Sequence, residues 1–592
     1  MSYQNVIGTQ RINPASTDGG SKEGPEAGGA EAGTRAPNRA VPRQSCTRPP
    51  LRIATPYDEY GIYDPHRSPQ ANEVPTAGVN GRRRRDQDHT VRGHGATPTA
   101  KTVRQEGLVR RVGGAVSARW IPWRLQEALF LAPAAVGAFL GILVAVSVPS
   151  GMTKPGPASL LTAVLFILAL CGVHIVYRRW RPSADRTLLP IASALMAAGL
   201  VMLTRLIPPL VSYLPEAKKA NVADIATKHT AWILIGLAAI AAIALVRNIH
   251  TLRLYKHMLV LAGIGLVAVT LIFGNDGGTG TGSKLWLPLG PLTVQSSEFL
   301  KPLMLIYMAG YIADNRPFLE RPFKLQVFGI KIPFAPLPYM IPMWIVWGVA
   351  MLLLIVQKDL GSTLLFFGMF LTLLYLASGN PLYVVGGVIL MVVGIVAINW
   401  LLPDVLGTAR ARFEVWVDPW AKGDAGGYQL VQSAYGVATG GAFGTGLGWG
   451  RPYLVPLVES DLIPVAFAEE FGFVGVTSLL GVYLALVWRG MRIAREARGD
   501  FARLLASGLT AALGIQMIVI LGGTIRMLPL TGLTLPLVSY GGSSMIATCL
   551  MLGLLLRISA DAHQEGRKVR SDAGALRDIP GAHPAGSGRR SE

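Results

Sequence analysis

The chain has 592 residues, of which 51% are hydrophobic and only 15% charged. That balance excludes an ordinary soluble domain and fits a protein that lives in a bilayer. The net charge of +20 invites a nucleic-acid reading, but so much membrane-type sequence argues against it, and no nucleic-acid partner is expected.

Residues 1–119 are rich in Gly, Pro, Ala and Arg and contain no sustained apolar run. Such a stretch cannot bury enough surface to offset its ordering entropy, so it reads as a disordered basic cytoplasmic tail. It has no apolar signal segment followed by a cleavage site and is expected to be retained. The block Arg82, Arg83, Arg84 and Arg85 suits anionic lipid headgroups.

Twelve apolar runs follow, each near the roughly 20 residues that cross the hydrocarbon: 125–148, 158–177, 188–206, 230–246, 257–273, 295–313, 339–356, 360–377, 382–402, 464–488, 504–527 and 533–556. The expected fold class is therefore an all-α polytopic membrane bundle of about 12 spans. Basic residues set the orientation. With the N-terminus inside, the inner loops carry Arg178, Arg179, Arg181 and Arg186, then Arg247, Arg253 and Lys256, then Arg316, Arg321, Lys324 and Lys331. Arg489, Arg492, Arg495, Arg498 and Arg503 follow, and the basic tail opens at Arg557. Both termini are then cytoplasmic, and Trp120, Trp123 and Trp488 sit where interfacial aromatic belts form. Cys46, Cys171 and Cys549 have neither metal-site nor disulfide spacing. Cys171 and Cys549, inside apolar runs, read as small core hydrophobes.

The largest connection, 403–463, falls outside, and long loops of this kind tend to be functional. Its stretch 437–450 is partly apolar but too short to span, which suggests a re-entrant or interfacial element. Ionisable groups at membrane depth are costly and mark candidate sites. Glu298 and Lys301, in Val294-Gln295-Ser296-Ser297-Glu298-Phe299-Leu300-Lys301-Pro302, share a helix face. They either satisfy each other or serve a site. Gln357-Lys358-Asp359-Leu360-Gly361 reads on its own as a tight outer turn with solvated charges. In Glu459-Ser460-Asp461-Leu462-Ile463-Pro464, Asp461 or Ser460 is either an N-cap or part of a site. Glu469 and Glu470 lie deeper and are harder to dismiss as solvated. The run from Gly440 to Gly448 would let backbone approach a ligand closely. It lacks the strand-then-helix setting of a nucleotide loop. Ser539-Tyr540-Gly541-Gly542-Ser543-Ser544 reads as a close-packing or pathway segment.

These clusters in this order resemble the SEDS family, the RodA/FtsW group of cell-wall polymerases. The matching segments are 294–302, 357–361, Tyr428-Gln429-Leu430-Val431-Gln432-Ser433, the glycine run, 460–472, and the most specific, Leu528 through Pro529-Leu530-Thr531-Gly532 to Ser544. Family members usually have ten spans. The resemblance therefore implies two additional N-terminal helices in 120–186, a polymerase core in 187–558 and a disordered cytoplasmic tail in 559–592. Departures are Ser460 for a common Thr, and Ser296 and Lys358 where the family carries Pro.

The resemblance implies a peptidoglycan glycosyltransferase that polymerises lipid II and releases undecaprenyl diphosphate, for elongation, division or sporulation. It places the family's essential aspartate at Asp461 and its glutamate and lysine at Glu298 and Lys301. For the leaving diphosphate, Lys301 is ranked ahead of Arg410, Arg412 and Arg451, and a divalent cation (Mg or Mn) is the only cofactor weighed. Arg410, Arg412, Gln429, Gln432, Ser433, Arg451, Ser543 and Ser544 are the expected substrate-binding residues. A class B penicillin-binding protein is the expected partner. A lipid II flippase and a non-catalytic cell-wall scaffold are the alternatives, separated from polymerase by whether purified protein makes polymer.

Overall fold

The computed structural model describes residues 123–577 apart from 148–152, 247, 277–282, 291, 320–322, 328–329, 335–336, 402–406 and 423–426. The N-terminal tail of 1–119, its arginine block, Trp120 and Cys46 lie outside the described residues, as does the end of the C-terminal tail.

In chain order the helices are α1 (Trp123–Ser147), α2 (Leu160–Trp180), α3 (Leu188–Tyr213), the short α4 (Glu216–Ala223), α5 (Ile225–Leu245), the short α6 (His250–Leu254) and α7 (Lys256–Phe273). A hairpin of β1 (Trp286–Leu289) and β2 (Leu292–Gln295) leads into α8 (Ser296–Leu319). A second hairpin, β3 (Phe323–Val327) with β4 (Ile330–Phe334), precedes α9 (Leu337–Val356), α10 (Leu360–Ser378) and α11 (Leu382–Leu401). The long connection that follows holds α12 (Gly407–Val417) and α13 (Gly427–Gly440), after which come α14 (Ile463–Glu496), α15 (Asp500–Thr524) and α16 (Gly542–Arg577).

Each of the twelve expected runs contributes a helix. Among the described residues, ten of these are long and apolar enough to cross a membrane by length and composition. The other two are α8, whose interior carries charge, and α11, which is apolar over a shorter stretch. The protein is thus a polytopic all-α membrane bundle, with two small hairpins that the apolar pattern did not announce. Its core is α3, α15 and α16, whose apolar windows are 78%, 78% and 89% buried, against 22% for α2 and α7. The outer helices turn Leu, Ile, Val and Phe outward, the expected face toward lipid tails. Cys549 is buried as expected, but Cys171 is exposed on α2, so it is not a core residue.

Two expected helices are redrawn by local chemistry. Residues 533–541 of the twelfth run are not helical. Pro529 and Pro536 cannot donate to a helix, and Gly532 (φ 75°) and Leu537 (φ 68°) are left-handed. The carbonyls this segment frees find partners elsewhere: Gln516 Nε2 donates to Thr534 O at 2.8 Å, and the Tyr483 hydroxyl donates to Pro536 O. Irregular backbone at this depth survives only when protein satisfies it.

The helix of the tenth run, α14, begins with Pro464 in its first turn and breaks at Gly472, whose φ of 67° and ψ of −164° are non-helical. The glycine run closes on this break. Gly441 O and Ala442 O accept from Phe473 N and Val474 N at 2.9 and 3.1 Å. In return Thr445 N and Gly446 N donate to Glu469 O and Glu470 O, both at 2.9 Å. A Cβ on Gly444 would fall 2.3 Å from Glu470 O, so only glycine fits. The close approach expected of these glycines is thus made to the backbone of α14.

Candidate functional site

The polar clusters resolve into two assemblies joined by the irregular segment before α16. The first is inside the bundle. Lys301 Nζ lies 2.5 Å from Glu298 Oε2, one turn apart on α8, and both side chains are fully buried. Lys301 also donates to Gln516 Oε1 at 3.0 Å. Beside it, Asp359 is a buried N-cap of α10, accepting from Ser362 N at 3.0 Å, and its other oxygen accepts from the Ser297 hydroxyl at 3.0 Å. Gln357 is buried too, donating to Val267 O at 3.1 Å. The expectation of a solvated outer turn is therefore wrong: Gln357 and Asp359 are buried, and both are hydrogen-bonded to neighbouring helices. Lys358, half-buried, takes φ 61°, a conformation closed to the Pro that the resembling family carries there.

The second assembly is in the long connection before α14. Asp461 is half-buried and precedes α14. The helix cap is Leu462, with no side-chain cap bond, so Asp461 is not spent as an N-cap. Burial pushes its carboxyl up to about 6, with the Arg412 guanidinium and the Ser460 hydroxyl pulling it down. Arg412 on α12 faces it across Gly532: a Cβ built there would lie 3.5 Å from Arg412 Nη2 and 3.6 Å from Asp461 Oδ2. Arg412 is anchored by donating from Nη1 to Leu530 O at 3.1 Å. The helix α12 that carries it is docked by Trp416 Nε1, which donates to Arg526 O at 2.9 Å.

Sequence reading missed Glu459, which is buried two residues before Asp461 and whose Oε2 makes no hydrogen bond among the described residues. Burial pushes its carboxyl up to about 7; its own backbone N–H pulls it back, and the Asp461 charge adds to the rise. The backbone N–H of Tyr540 donates to Glu459 O at 2.9 Å, stitching the loop to the segment before α16.

The remaining expected residues divide. Arg410 is exposed and pairs with Glu414 at 3.3 Å, away from Asp461. Gln429 donates to Pro456 O at 3.3 Å, and the Ser433 hydroxyl is used on its own helix, donating to Gln429 O at 2.7 Å. Ser543 accepts from Gln295 N at 2.9 Å, joining β2 to the start of α16, while the buried Ser544 hydroxyl makes no hydrogen bond among the described residues. Gln432 and Arg451 line a groove of about 250 Å³ together with Tyr435, Trp449 and Glu469. Glu469 Oε1 accepts from Arg451 N at 2.5 Å. Glu470 lies 3.4 Å from Arg205, both buried. Arg205 went unnoticed, although a lone arginine inside an apolar run is the signal that singled out Glu298.

Among the described residues, no three His, Cys, Asp or Glu side chains converge where a metal could sit. Near Asp461 the protein offers Glu459 as a second oxygen donor and Arg412 as a competing cation. The fixed positive charge facing the Asp461 carboxylate is Arg412.

A family model described as cell cycle protein, of the FtsW, RodA and SpoVE type, matches residues 185–564. A protein named peptidoglycan glycosyltransferase RodA from Mycobacterium tuberculosis is 36% identical over 444 residues, 74% of this chain and 91% of the relative. A probable peptidoglycan glycosyltransferase FtsW from Halomonas elongata is 33% identical over 324 residues, 53% of this chain and 76% of the relative. Among solved structures, a chain of a peptidoglycan synthase complex that coordinates polymerization and crosslinking matches with a TM-score of 0.52 at 26% identity, over 64% of this chain and 99% of its own length.

Proposed function

Because this chain belongs to the cell cycle protein family of FtsW, RodA and SpoVE, matched across residues 185–564, we propose that it is a peptidoglycan glycosyltransferase that polymerises lipid II on the outer face of a bacterial plasma membrane. The observation that carries this reading is Asp461: an uncapped, half-buried carboxylate raised to about 6, facing the guanidinium of Arg412. A base of that strength is matched to proton abstraction near neutral pH. A cation beside it suits a reaction that expels a diphosphate.

In the proposed reaction the 4-hydroxyl of one lipid-linked glycan attacks C1 of an α-linked sugar diphosphate. The new C1–O bond forms as the C1–O bond to diphosphate breaks, giving a β1,4 linkage, and the hydroxyl proton passes to Asp461. Arg412 takes the leaving charge. Lys301 has its ammonium committed to Glu298 and Gln516, which supports a positioning role. It holds Gln516, Gln516 holds Thr534 O, and that segment carries Gly532 between Arg412 and Asp461. The class B penicillin-binding protein, the inward-facing termini and the outer position of residues 403–463 belong to the same reading. They rest on the resemblance, the basic inner loops and the likeness to a chain of a peptidoglycan synthase complex. Purified protein mixed with lipid II should yield polymer, and Asp461→Asn should not. Persistent polymer from that variant would remove Asp461 as the base; no polymer from wild type, with lipid II crossing a vesicle bilayer instead, would make the protein a flippase.

A further inference from the structure

The groove between α13 and residues 445–455 is not explained by the reacting pair. Its rim carries two exposed aromatics, Tyr435 and Trp449. Its floor is the Glu469 carboxylate, reached past glycines: a Cβ on Gly436 would lie 3.3 Å from Glu469 Oε2, and one on Gly450 would lie 3.2 Å from Oε1. Oε1 is used by Arg451 N. Glu469 Oε2, the Gln432 amide, the Tyr435 phenol and the Arg451 guanidinium make no hydrogen bond among the described residues. The buried Arg205 lies under this floor, 3.4 Å from Glu470 and 3.4 Å from Gly450 O. It fixes the loop that bears Trp449 and Arg451.

This is a preformed set of planar hydrogen-bonding groups flanked by aromatic faces. Aromatic rings with polar edges suit a ligand that has an apolar face and a polar periphery, as a pyranose does. Carboxylate, amide and guanidinium supply the acceptors and donors that ring hydroxyls and an acetamido group require. The one carboxylate of the lining, Glu469, is matched by one guanidinium, Arg451, so the groove offers no net positive charge to a diphosphate. About 250 Å³ is less than the roughly 300–1,000 Å³ that encloses a drug-sized ligand, so the groove suits a single sugar ring of a longer chain.

We propose that this groove is a saccharide subsite, distinct from the Asp461–Arg412 centre, that holds an uncharged N-acetylated pyranose of the glycan strand. The assignment of the sugar to a glycan strand rests on the glycosyltransferase reading above; the groove's affinity for such a ring does not. The test uses the full-length protein in detergent and a tetramer of β1,4-linked N-acetylglucosamine, which has neither diphosphate nor lipid. Wild type should give a saturable binding isotherm by titration calorimetry. Trp449→Ala should abolish it, Gln432→Ala should weaken binding at least about tenfold, and Trp449→Phe, which keeps a stacking face, should bind with its thermal midpoint unchanged. In polymerisation from lipid II, Trp449→Ala should shorten the product. Tetramer binding that ignores Trp449 and Gln432, or none at all, overturns the subsite even if wild type polymerises. A response to free polyprenyl phosphate without one to the tetramer makes the groove a lipid seat and also overturns it. Failure of wild type to polymerise while the tetramer binds at Trp449 sinks the enzymatic reading and leaves the saccharide site standing.

Discussion

The Glu298–Lys301 assembly and the Asp461–Arg412 assembly contain the same kinds of charge but are built in opposite ways. In the first, carboxylate and ammonium touch at 2.5 Å, both are sealed from solvent, and Gln516 takes a further ammonium hydrogen bond. In the second, carboxylate and guanidinium face each other without closing into an ion pair. Gly532 stands between them, and the neighbouring Glu459 keeps a buried oxygen unpartnered. A saturated pair holds structure, whereas an unsaturated one has capacity left for a substrate. Polar groups buried without partners persist in native proteins at a cost, and Glu459 Oε2, two residues from the proposed base, is one of them.

The largest test of this contrast is Asp461→Ala. Loss of a catalytic base typically costs about 10²–10⁴-fold in rate, and a half-buried, uncapped side chain leaves little structure to lose. The expected outcome is polymer reduced to that extent in a lipid II assay, with an unchanged or higher thermal midpoint. A variant that fails because it unfolds would put Asp461 in the same class as Glu298 and erase the contrast.

Lys301→Met should behave in the opposite way. It strands the Glu298 carboxylate in the bundle, and breaking a buried pair from one side costs about 3–5 kcal/mol. The double variant Glu298→Leu with Lys301→Met, which removes both charges, should recover most of the thermal midpoint. If Lys301 acts by positioning, activity returns with stability in the double variant. A stable but inactive double variant would mean that the ammonium itself meets the substrate.

In the second region the pH dependence of activity and that of stability have opposite signs. Asp461 must be ionised to act as a base, so kcat/KM should fall as pH drops through about 6. Its stability contribution runs the other way. Burial raises the folded-state value above the ordinary carboxylate value, so the folded protein binds more protons in that window. The stabilisation is full below the unfolded value and is lost as pH rises through about 6, with Glu459 extending the loss toward about 7. Asp461→Asn should therefore raise the thermal midpoint at pH 7.5 by more than at pH 5. Equal shifts at both values would remove the raised carboxylate.

Much of this was legible because membrane depth makes polar residues conspicuous. Glu298, Lys301 and the stretch around Asp461 stand out against apolar neighbours, and the apolar runs locate every spanning helix. The partners were not legible. Arg205 meets Glu470, and Lys301 meets Gln516, across separations that no local pattern encodes. Asp359 looked solvated because a cap and a buried hydrogen-bond hub have the same short sequence. The glycine run was read as making room for a ligand, whereas the break at Gly472 needs those glycines to satisfy the backbone of α14. Residues 533–541 read as helix from their apolar content, but Pro536 and Gly532 outweigh it.

The smallest expected effect is also the finest division within the second region. Arg410 and Arg412 are two residues apart on α12, a spacing that places side chains on different faces of a helix. Arg412 turns inward to Leu530 O and Asp461; Arg410 turns outward to an exposed pair with Glu414. Exposed pairs of this kind contribute little, so Arg410→Ala should leave polymerisation within about twofold of wild type. Arg412→Ala, which removes the cation facing the base, should lose about 10²-fold or more in kcat, as loss of a preorganised charge-stabilising donor does. Arg412→Lys should recover only part of that, because an ammonium cannot present the planar fork that both Leu530 O and a diphosphate oxygen would use. Equal losses at 410 and 412 would mean that α12 contributes a diffuse positive field. The assignment of a single guanidinium opposite Asp461 would then fail, while the contrast between a saturated and an open assembly would still rest on Lys301.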